Sequence, residues 1–438
     1  MADADVVVIG AGPAGLAAAV KLQAACLRVA HIEARERIGG RTHTIKVGRH
    51  AGIDAGAHWL HARHVNPLTK EARRLGIGLN GADKWPIVID GDEILGTWGQ
   101  MKLWRAWRKI DRAIVRMADD HPEASAGLAY DRNDRWQVLA GELHGTHACG
   151  TPLANVSVAD FANAIDSEDR FVDGGLGALV AAAGAGASPT LGVTAKRISE
   201  TRDGVSVETT AGVIAARTVL VTIPTTLVAA GAIAFEPGLP AAHLEAAHDL
   251  PHGAYERLVF TLGDDPFSEE RDRAVILLND KNRSFYMLAG GGGQGVHFAD
   301  FGADEARELA AKGIDAMAEV VEDWLDWQVG SAAARSIKPL HASRWSGDPL
   351  SMGGWSVAKP GKAHQRLTLR VPVNERIWFA GEATSVEQWG TVGGAWLEGQ
   401  RAAREIAAYL DDPVSWRTRY TPPEARGCRA RMRPRSLT

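Results

Sequence analysis

The chain has 438 residues, of which 45% are hydrophobic and 23% charged, and a formal net charge of −4. It is long enough for two domains with sizeable cores, and its charge balance gives no electrostatic footprint for nucleic acid. The three cysteines, Cys26, Cys149 and Cys428, are too few and too far apart for a disulfide framework or a metal site, which suits a reducing compartment. No apolar run reaches the ~18 residues of a membrane span, and the opening MADAD lacks the regions of a secretory leader, so the expectation is a cytoplasmic protein without a resident metal.

The first predicted element is a buried parallel strand, Val6 to Ile9, which runs into Gly10-Ala-Gly-Pro-Ala-Gly15 and then into the helix-forming LAAAVKLQAA. A second strand, Leu27 to Ile32, ends at Glu33. Strand, glycine turn, helix, strand and terminal acid are the parts of a dinucleotide-binding βαβ unit. Gly10 permits the tight turn, Gly12 lets the backbone approach a pyrophosphate at the helix N-terminus, and Gly15 lets helix and strand pack closely. Glu33 can accept hydrogen bonds from a ribose, and its charge disfavours a 2′-phosphate, which argues against NADP. The unit alone does not separate NAD from FAD.

Residues 81–170 read as a polar, tryptophan-rich helical stretch. Within it, Lys102 to Met117 is amphipathic, with Trp107, Ile110, Ile114 and Met117 on one face and Arg108, Arg112 and Arg116 on another. The apolar face is expected to pack on its own domain and the arginines to be solvated, the alternative being a membrane or partner contact. Residues 171–248 read as β-rich, with strands near Leu191 to Ile198, at Val205 to Thr210, and at Val219 to Ile223 before Pro224. Residues 249–341 give strands at Arg257 to Leu262, Ala274 to Leu278 and Ser284 to Leu288, and one helix from about Ala303 to Trp327. The run Gly290 to Gly293 reads as a loop, because no helix start follows it. The residues after Val414 hold seven arginines, one glutamate and three prolines without hydrophobic period, the composition of a disordered tail.

Beyond Glu33 stand Arg35 and Gly39-Gly-Arg-Thr42, then Asp54-Ala-Gly-Ala-His-Trp-Leu-His61. Near the other end come Trp378-Phe-Ala-Gly-Glu-Ala-Thr384 and Gly390-Thr-Val-Gly-Gly-Ala-Trp-Leu-Glu-Gly399. In this order the motifs resemble those of the flavin-containing amine oxidase family, the group of monoamine oxidases, polyamine oxidases and flavin histone demethylases. The resemblance is strong over residues 5–80 and 340–410 and weak over 81–170. It implies an α/β, two-domain fold: an FAD-binding Rossmann-type domain from residues 1–80, 171–248 and 342–412, and an interleaved α+β substrate domain from 81–170 and 249–341, followed by the basic tail 413–438. It implies FAD, contacted at Gly10, Gly12, Ala14, Gly15 and Glu33, and at Ala34, Arg35, Gly40 and Arg41. Further contacts are implied at Gly56, Ala57, His58 and Trp59, and at Ala195, Gly381, Glu382, Thr391 and Val392.

The resemblance also implies a reaction. A small-molecule amine loses a hydride from its α-carbon to flavin N5, the imine is hydrolysed, and O2 or another acceptor takes the electrons, O2 giving hydrogen peroxide. A free amine has a pKa of about 10, so a desolvated, aromatic-walled site helps by favouring its neutral form. Trp355 stands where the family usually has a tyrosine over the flavin, and an aromatic there orients the amine by its π-face; a core-filling tryptophan is the alternative. Thr391 stands where monoamine oxidases have a second cage tyrosine. Gly354 stands where they have the cysteine joined to the flavin, so the FAD is expected to be non-covalent. His61 matches a histidine that some polyamine oxidases place near the substrate, with a hydrogen-bonded structural role as an equal alternative. Glu382 is expected to bind a hydroxyl or hold Arg41, and Thr391 and Val392 to begin a helix aimed at the reduced flavin.

Arg257 stands where the family carries a lysine that assists reoxidation by O2. Strand alternation lets Arg257 face a cavity, but a guanidinium cannot become a neutral base; a simple pairing with an acid is the alternative. Two other functions stay open: a protoporphyrinogen-oxidase or desaturase-type flavoprotein, and a flavin-bound protein of weak or lost activity acting through partners. The variable helical segment sets which amine is taken, and no residue pattern speaks to the oligomeric state.

Overall fold

The computed structural model describes residues 2–81 and 85–422. Two seven-stranded sheets carry the fold. In the first, Ala4–Ile9 runs parallel to Val29–Ile32 on one side and to Gly212–Val221 on the other. Val6, Val7 and Val8 are fully buried, as a parallel strand covered on both faces requires. The long strand Gly212–Val221 has two partners on its far side. Its first half pairs with Gly204–Thr209, which continues to Ala195–Thr201 and Ala234–Glu236, and its second half pairs in parallel with Ile377–Phe379. The ends of three parallel strands therefore converge, followed by Gly10, Thr222 and Ala380-Gly381, the place where open α/β sheets bind ligands.

Pro13–Ala24 starts with proline in its first turn, where the missing N–H costs nothing. It packs on Val392–Asp411. A Cβ on Gly399 would lie 2.0 Å from the Ala14 carbonyl oxygen, so the glycine is what lets these two helices touch.

The second sheet has the order Ile337–Ala342, Tyr255–Leu262, His297–Gly302, Ser284–Ala289, Arg273–Leu278, Ile87–Asp90, Glu93–Ile94. One face buries Leu258, Phe260, Leu277 and Phe285 against Met317, Val321 and Leu325 of a helix layer. The other buries Ile276 and Leu278 with Ile110, Ile114 and Leu139 of the helices Thr97–Asp120 and Arg135–Glu142.

Several expected elements differ. The helix expected over Ala303 to Trp327 is two, Ala303–Lys312 and Ile314–Gln328, broken at Gly313 with φ +97°, a backbone that glycine alone adopts without strain. The stretch 81–170 is not only helical, since Ile87–Asp90 and Glu93–Ile94 join the second sheet. Two unforeseen strands complete that sheet. His297–Gly302 hides behind its buried His297 and Asp300, and Ile337–Ala342 is an edge strand that tolerates Pro339. The second strand starts at Val29 rather than Leu27, because the chain turns through Cys26 at φ +59°. The basic tail begins as structure: Pro413–Arg419 is a helix capped by Asp412, with Trp416 buried. Residues 423–438 of that tail lie outside the described residues. The expected amphipathic helix extends from Thr97 to Asp120, its arginines 108, 112 and 116 exposed, and the glycine run forms a tight turn between two strands.

Candidate active site

One continuous cavity of about 610 Å³ runs between the two sheets. At the end beside the glycine turn Gly10 adopts φ +102°, and a Cβ on Gly15 would sit 1.8 Å from the Gly10 carbonyl oxygen. Gly15 thus supports the turn from behind and does not line the cavity. A Cβ on Gly12, by contrast, would meet nothing within 4 Å, and no side chain caps the helix that starts after it. Open space in front of uncapped N–H donors is what a pyrophosphate fills. Glu33 is buried, with Oε2 accepting from the Ala11 N–H at 2.6 Å and Oε1 from the Arg35 N–H at 2.8 Å. These bonds aim a carboxylate into the cavity, and Ala14, Ala34, Gly40 and Ala195 line the same end. The residues present fit a dinucleotide.

The middle of the cavity is held by ion pairs. Arg41 donates to Glu382 at 3.0 Å and to the Gly354 carbonyl at 2.6 Å, so Glu382 holds Arg41. Burial alone would push the Glu382 pKa up, but Arg41, His252 and Arg366 together hold it at about 2. Arg35 pairs with Asp348 at 2.7 Å. Asp54 is buried beneath this region, caps the helix Leu176–Ala183 by accepting from the Leu176 N–H, and is pushed by burial to about 6. Gly56, Ala57, His58, Trp59 and Gly381 line the wall, and Val392 starts a helix whose N-cap, Thr391, accepts from the Gly394 N–H at 2.9 Å.

Arg257 also lines the cavity, deeply buried. Its Nε and Nη2 grip Asp300 at 2.6 and 2.8 Å, Nη2 also reaches His58 Nδ1 at 2.8 Å, and Nη1 reaches the carbonyls of Asp54 and Gly56 at 3.2 and 3.4 Å. Five N–H donors meet five acceptors, which exhausts a guanidinium. Because His58 accepts at Nδ1, it is neutral there; burial and then Arg257 hold its pKa far down. Among the described residues three arginines line the cavity, and each is paired with a carboxylate.

The far half is aromatic. Trp355 is half-buried, 5.0 Å ring to ring from Tyr255, and Gly390 makes room for it, since a Cβ there would be 2.7 Å from Trp355 Cδ1. Trp389 lines the same half. Its Nε1 donates to the Asp160 carbonyl at 2.9 Å, and Arg366, gripped by Asp160, lies over its ring. An aromatic wall therefore stands two residues before Thr391. His61 pairs with Asp169 at 2.8 Å, and although burial disfavours its charge, Asp169 outweighs that and raises its pKa.

Sequence reasoning missed His144 and His147. A π-helical turn, Leu143–His147, presents both to the cavity, a device common at functional sites. His144 packs against Trp107 with ring centres 3.8 Å apart and planes tilted by 39°, and it pairs with Asp111. The Nδ1 of His147 is out of solvent without a hydrogen-bond partner, and burial lowers its pKa to about 4. No helical or strand period marks such a turn. Asp300 was missed with its strand, although its partner Arg257 was singled out.

The sequence matches the profile of the flavin containing amine oxidoreductase family over residues 105–407 and a NAD(P)-binding Rossmann-like profile over 8–72. It is 30% identical to lysine-specific histone demethylase 1 homolog 2 of Oryza sativa subsp. japonica, over 92% of this chain and 57% of that protein. It is 28% identical to polyamine oxidase 2 of Arabidopsis thaliana, over 92% of this chain and 87% of that one. The chain thus spans little more than half the length of the histone demethylases it matches. Among solved structures, putrescine oxidase bound to putrescine superposes with a TM-score of 0.77 at 20% identity, covering 92% of this chain and 99% of that one. Cyclohexylamine oxidase from Brevibacterium oxydans gives 0.76 at 21%, covering 93% and 100%. At those identities the likeness is one of fold. Among the described residues no helix is long and apolar enough to cross a membrane. With the family profile covering most of the chain and the fold shared throughout, this protein belongs to the flavin containing amine oxidoreductase family.

Proposed function

We propose that the chain is an FAD-dependent amine oxidase that holds its cofactor without a covalent bond and takes a small amine into the aromatic half of its cavity. The observation that carries this reading is the continuity of one cavity from the Gly12 opening and Glu33 to Trp355 and Trp389. In this reading the first sheet and its helices hold the nucleotide, and the second sheet with the helices over it shapes the amine side. When bound, FAD supplies the two-electron oxidation of the amine's C–N bond to an imine.

The rest falls to residues of the chain. Aromatic walls exclude water and favour the neutral amine, and the face of Trp355 orients it. His147 completes the wall on this side of the cavity. Asp166 and Asp169 line the cavity beside His61, Asp169 paired with it. Among the described residues no cavity arginine is left to bind a substrate carboxylate, which favours plain amines over amino acids. Gly354 has no sulfur to join a flavin.

The test is an anaerobic panel of monoamines, diamines, polyamines and amino acids mixed with the yellow protein. Loss of flavin absorbance with a plain amine, and colour released on denaturation, are the expected results. A flavin that dithionite bleaches and no amine does would overturn the catalytic reading, and colour retained by the precipitate would overturn non-covalent binding.

A further inference from the structure

The long helix Thr97–Asp120 has a second face that the cavity does not use. Leu103, Ala106, Ile110 and Ile114 point into the core. On the opposite side Lys102, Arg105, Arg108, Lys109, Arg112 and Arg116 are all exposed, within an arc of about 120° at 3.6 residues per turn. The one acid between Thr97 and Arg116, Asp111, is half-buried and pairs with His144. Among the described residues none of the six cations has a carboxylate partner within ion-pair distance. Such segregation is unusual in a chain whose net charge is −4.

Large apolar side chains stand at one end of this face. Trp98, in the first turn and on the same arc, is 76% exposed, and Ile94 and Trp85 on the adjoining strand region are 66% and 58% exposed. Trp85 meets Trp104 edge-on at 5.4 Å. Asp92 and Glu93 at the hairpin tip and Asp119 and Asp120 at the helix end flank the patch rather than interrupt it. Leaving two tryptophans in water is unfavourable, whereas at a bilayer the indole ring settles among the headgroups. Guanidinium groups are matched to phosphate oxygens.

We infer that this face of the helix docks on an anionic lipid surface, with Trp98 and Trp85 in the headgroup layer and the six cations on lipid phosphates. A convex helix surface with its aromatics gathered at one end suits a plane better than a nucleic-acid strand, which needs bases stacked along a groove. The same helix carries Trp107 into the cavity wall on its other side, so the docked face and the amine-binding half share one element.

The full flavin-loaded protein is tested by cosedimentation with phosphatidylcholine vesicles, with and without phosphatidylglycerol, at low and high salt. Binding to the anionic vesicles about tenfold or more tighter than to the neutral ones, and lost in high salt, is expected. The combined variant Arg105→Glu, Arg108→Glu, Arg112→Glu should abolish it while flavin content, melting and flavin reduction by amine in solution stay as in the parent. Trp98→Ser, at an exposed position, should weaken binding without changing its salt slope. No preference for anionic vesicles, or unchanged binding by the charge-reversed variant, would overturn the inference. Tighter binding to heparin or duplex RNA than to anionic vesicles at equal salt would also overturn it, in favour of a polyanion.

Discussion

Arg257 and Asp300 stand directly opposite each other on neighbouring antiparallel strands, and the guanidinium grips both carboxylate oxygens at 2.6 and 2.8 Å. Tyr286 occupies the next register position across Asp300. With all five donors engaged, Arg257 has none to hold a water in the cavity, and its charge is compensated by a buried carboxylate. Positive charge favours the step from O2 to superoxide, so we predict slow reoxidation of the reduced protein by O2. Arg257→Lys should speed that step by about tenfold, ~1.4 kcal/mol in the barrier, with little change in reduction by amine. Equal reoxidation rates by stopped flow in both proteins would show that this position does not control oxygen reactivity. Arg257→Met is a different experiment. It strands the Asp300 charge in the interior and should cost roughly 3–5 kcal/mol of stability, read by denaturant unfolding.

Gly12→Val should abolish FAD loading and leave the fold intact. Gly12 has an extended backbone, φ −72° and ψ −179°, and its Cβ would enter open space, so the apo chain should tolerate valine. The purified variant should be colourless, with the circular dichroism and melting temperature of the cofactor-stripped parent. Gly15→Ala should do the reverse of tolerate: its Cβ collides with the Gly10 carbonyl, so the apo protein itself should melt lower. A yellow Gly12→Val protein would remove the pyrophosphate from this turn.

These contrasts bear on what the sequence makes legible. The βαβ unit is readable because each glycine answers one local steric demand, and the Arg41–Glu382 contact was within reach because both residues sit in recognisable motifs. Asp300 was not readable. Its strand has buried histidine and aspartate where an apolar alternation would be sought, and only the register with Arg257 gives it meaning. His144 and His147 reach the cavity through a π-helical turn whose spacing no regular period encodes. Trp389 has no local signal of its role: it is the buried Asp160–Arg366 pair, distant in sequence, that fixes its ring.

The buried Glu382 makes acid sensitivity predictable in sign. Its folded-state pKa of about 2 lies below the ordinary value of 4.5 because the surrounding arginines outweigh burial. A depressed carboxylate contributes stability that is fully present above pH 4.5 and lost as the pH falls towards 2. The size is on the order of 3 kcal/mol. Denaturant unfolding at a series of pH values should therefore show a steeper loss between pH 4.5 and 2 in the parent than in Glu382→Gln. Parallel curves for the two proteins would mean that Glu382 is not the group responsible.

Trp355→Ala should slow flavin reduction by a good amine while leaving FAD bound. The ring touches Tyr255 and lies over Gly390, in the aromatic half of the cavity and away from the glycine turn proposed for the pyrophosphate. Its loss removes the surface against which the amine is positioned, and misplacement of a reacting group costs on the order of a hundredfold in rate. Trp355→Phe keeps an aromatic face and should recover most of it. Because Trp355 also packs against the apolar core around Ile110 and Leu139, a purely structural role makes a competing forecast. Melting temperature would then fall in both variants with the volume removed, while the reduction rate per bound flavin stayed constant. The decisive measurement is the anaerobic reduction rate at saturating amine, normalised to flavin content, for the parent and both variants. A rate that tracks melting temperature rather than aromaticity would assign Trp355 to packing.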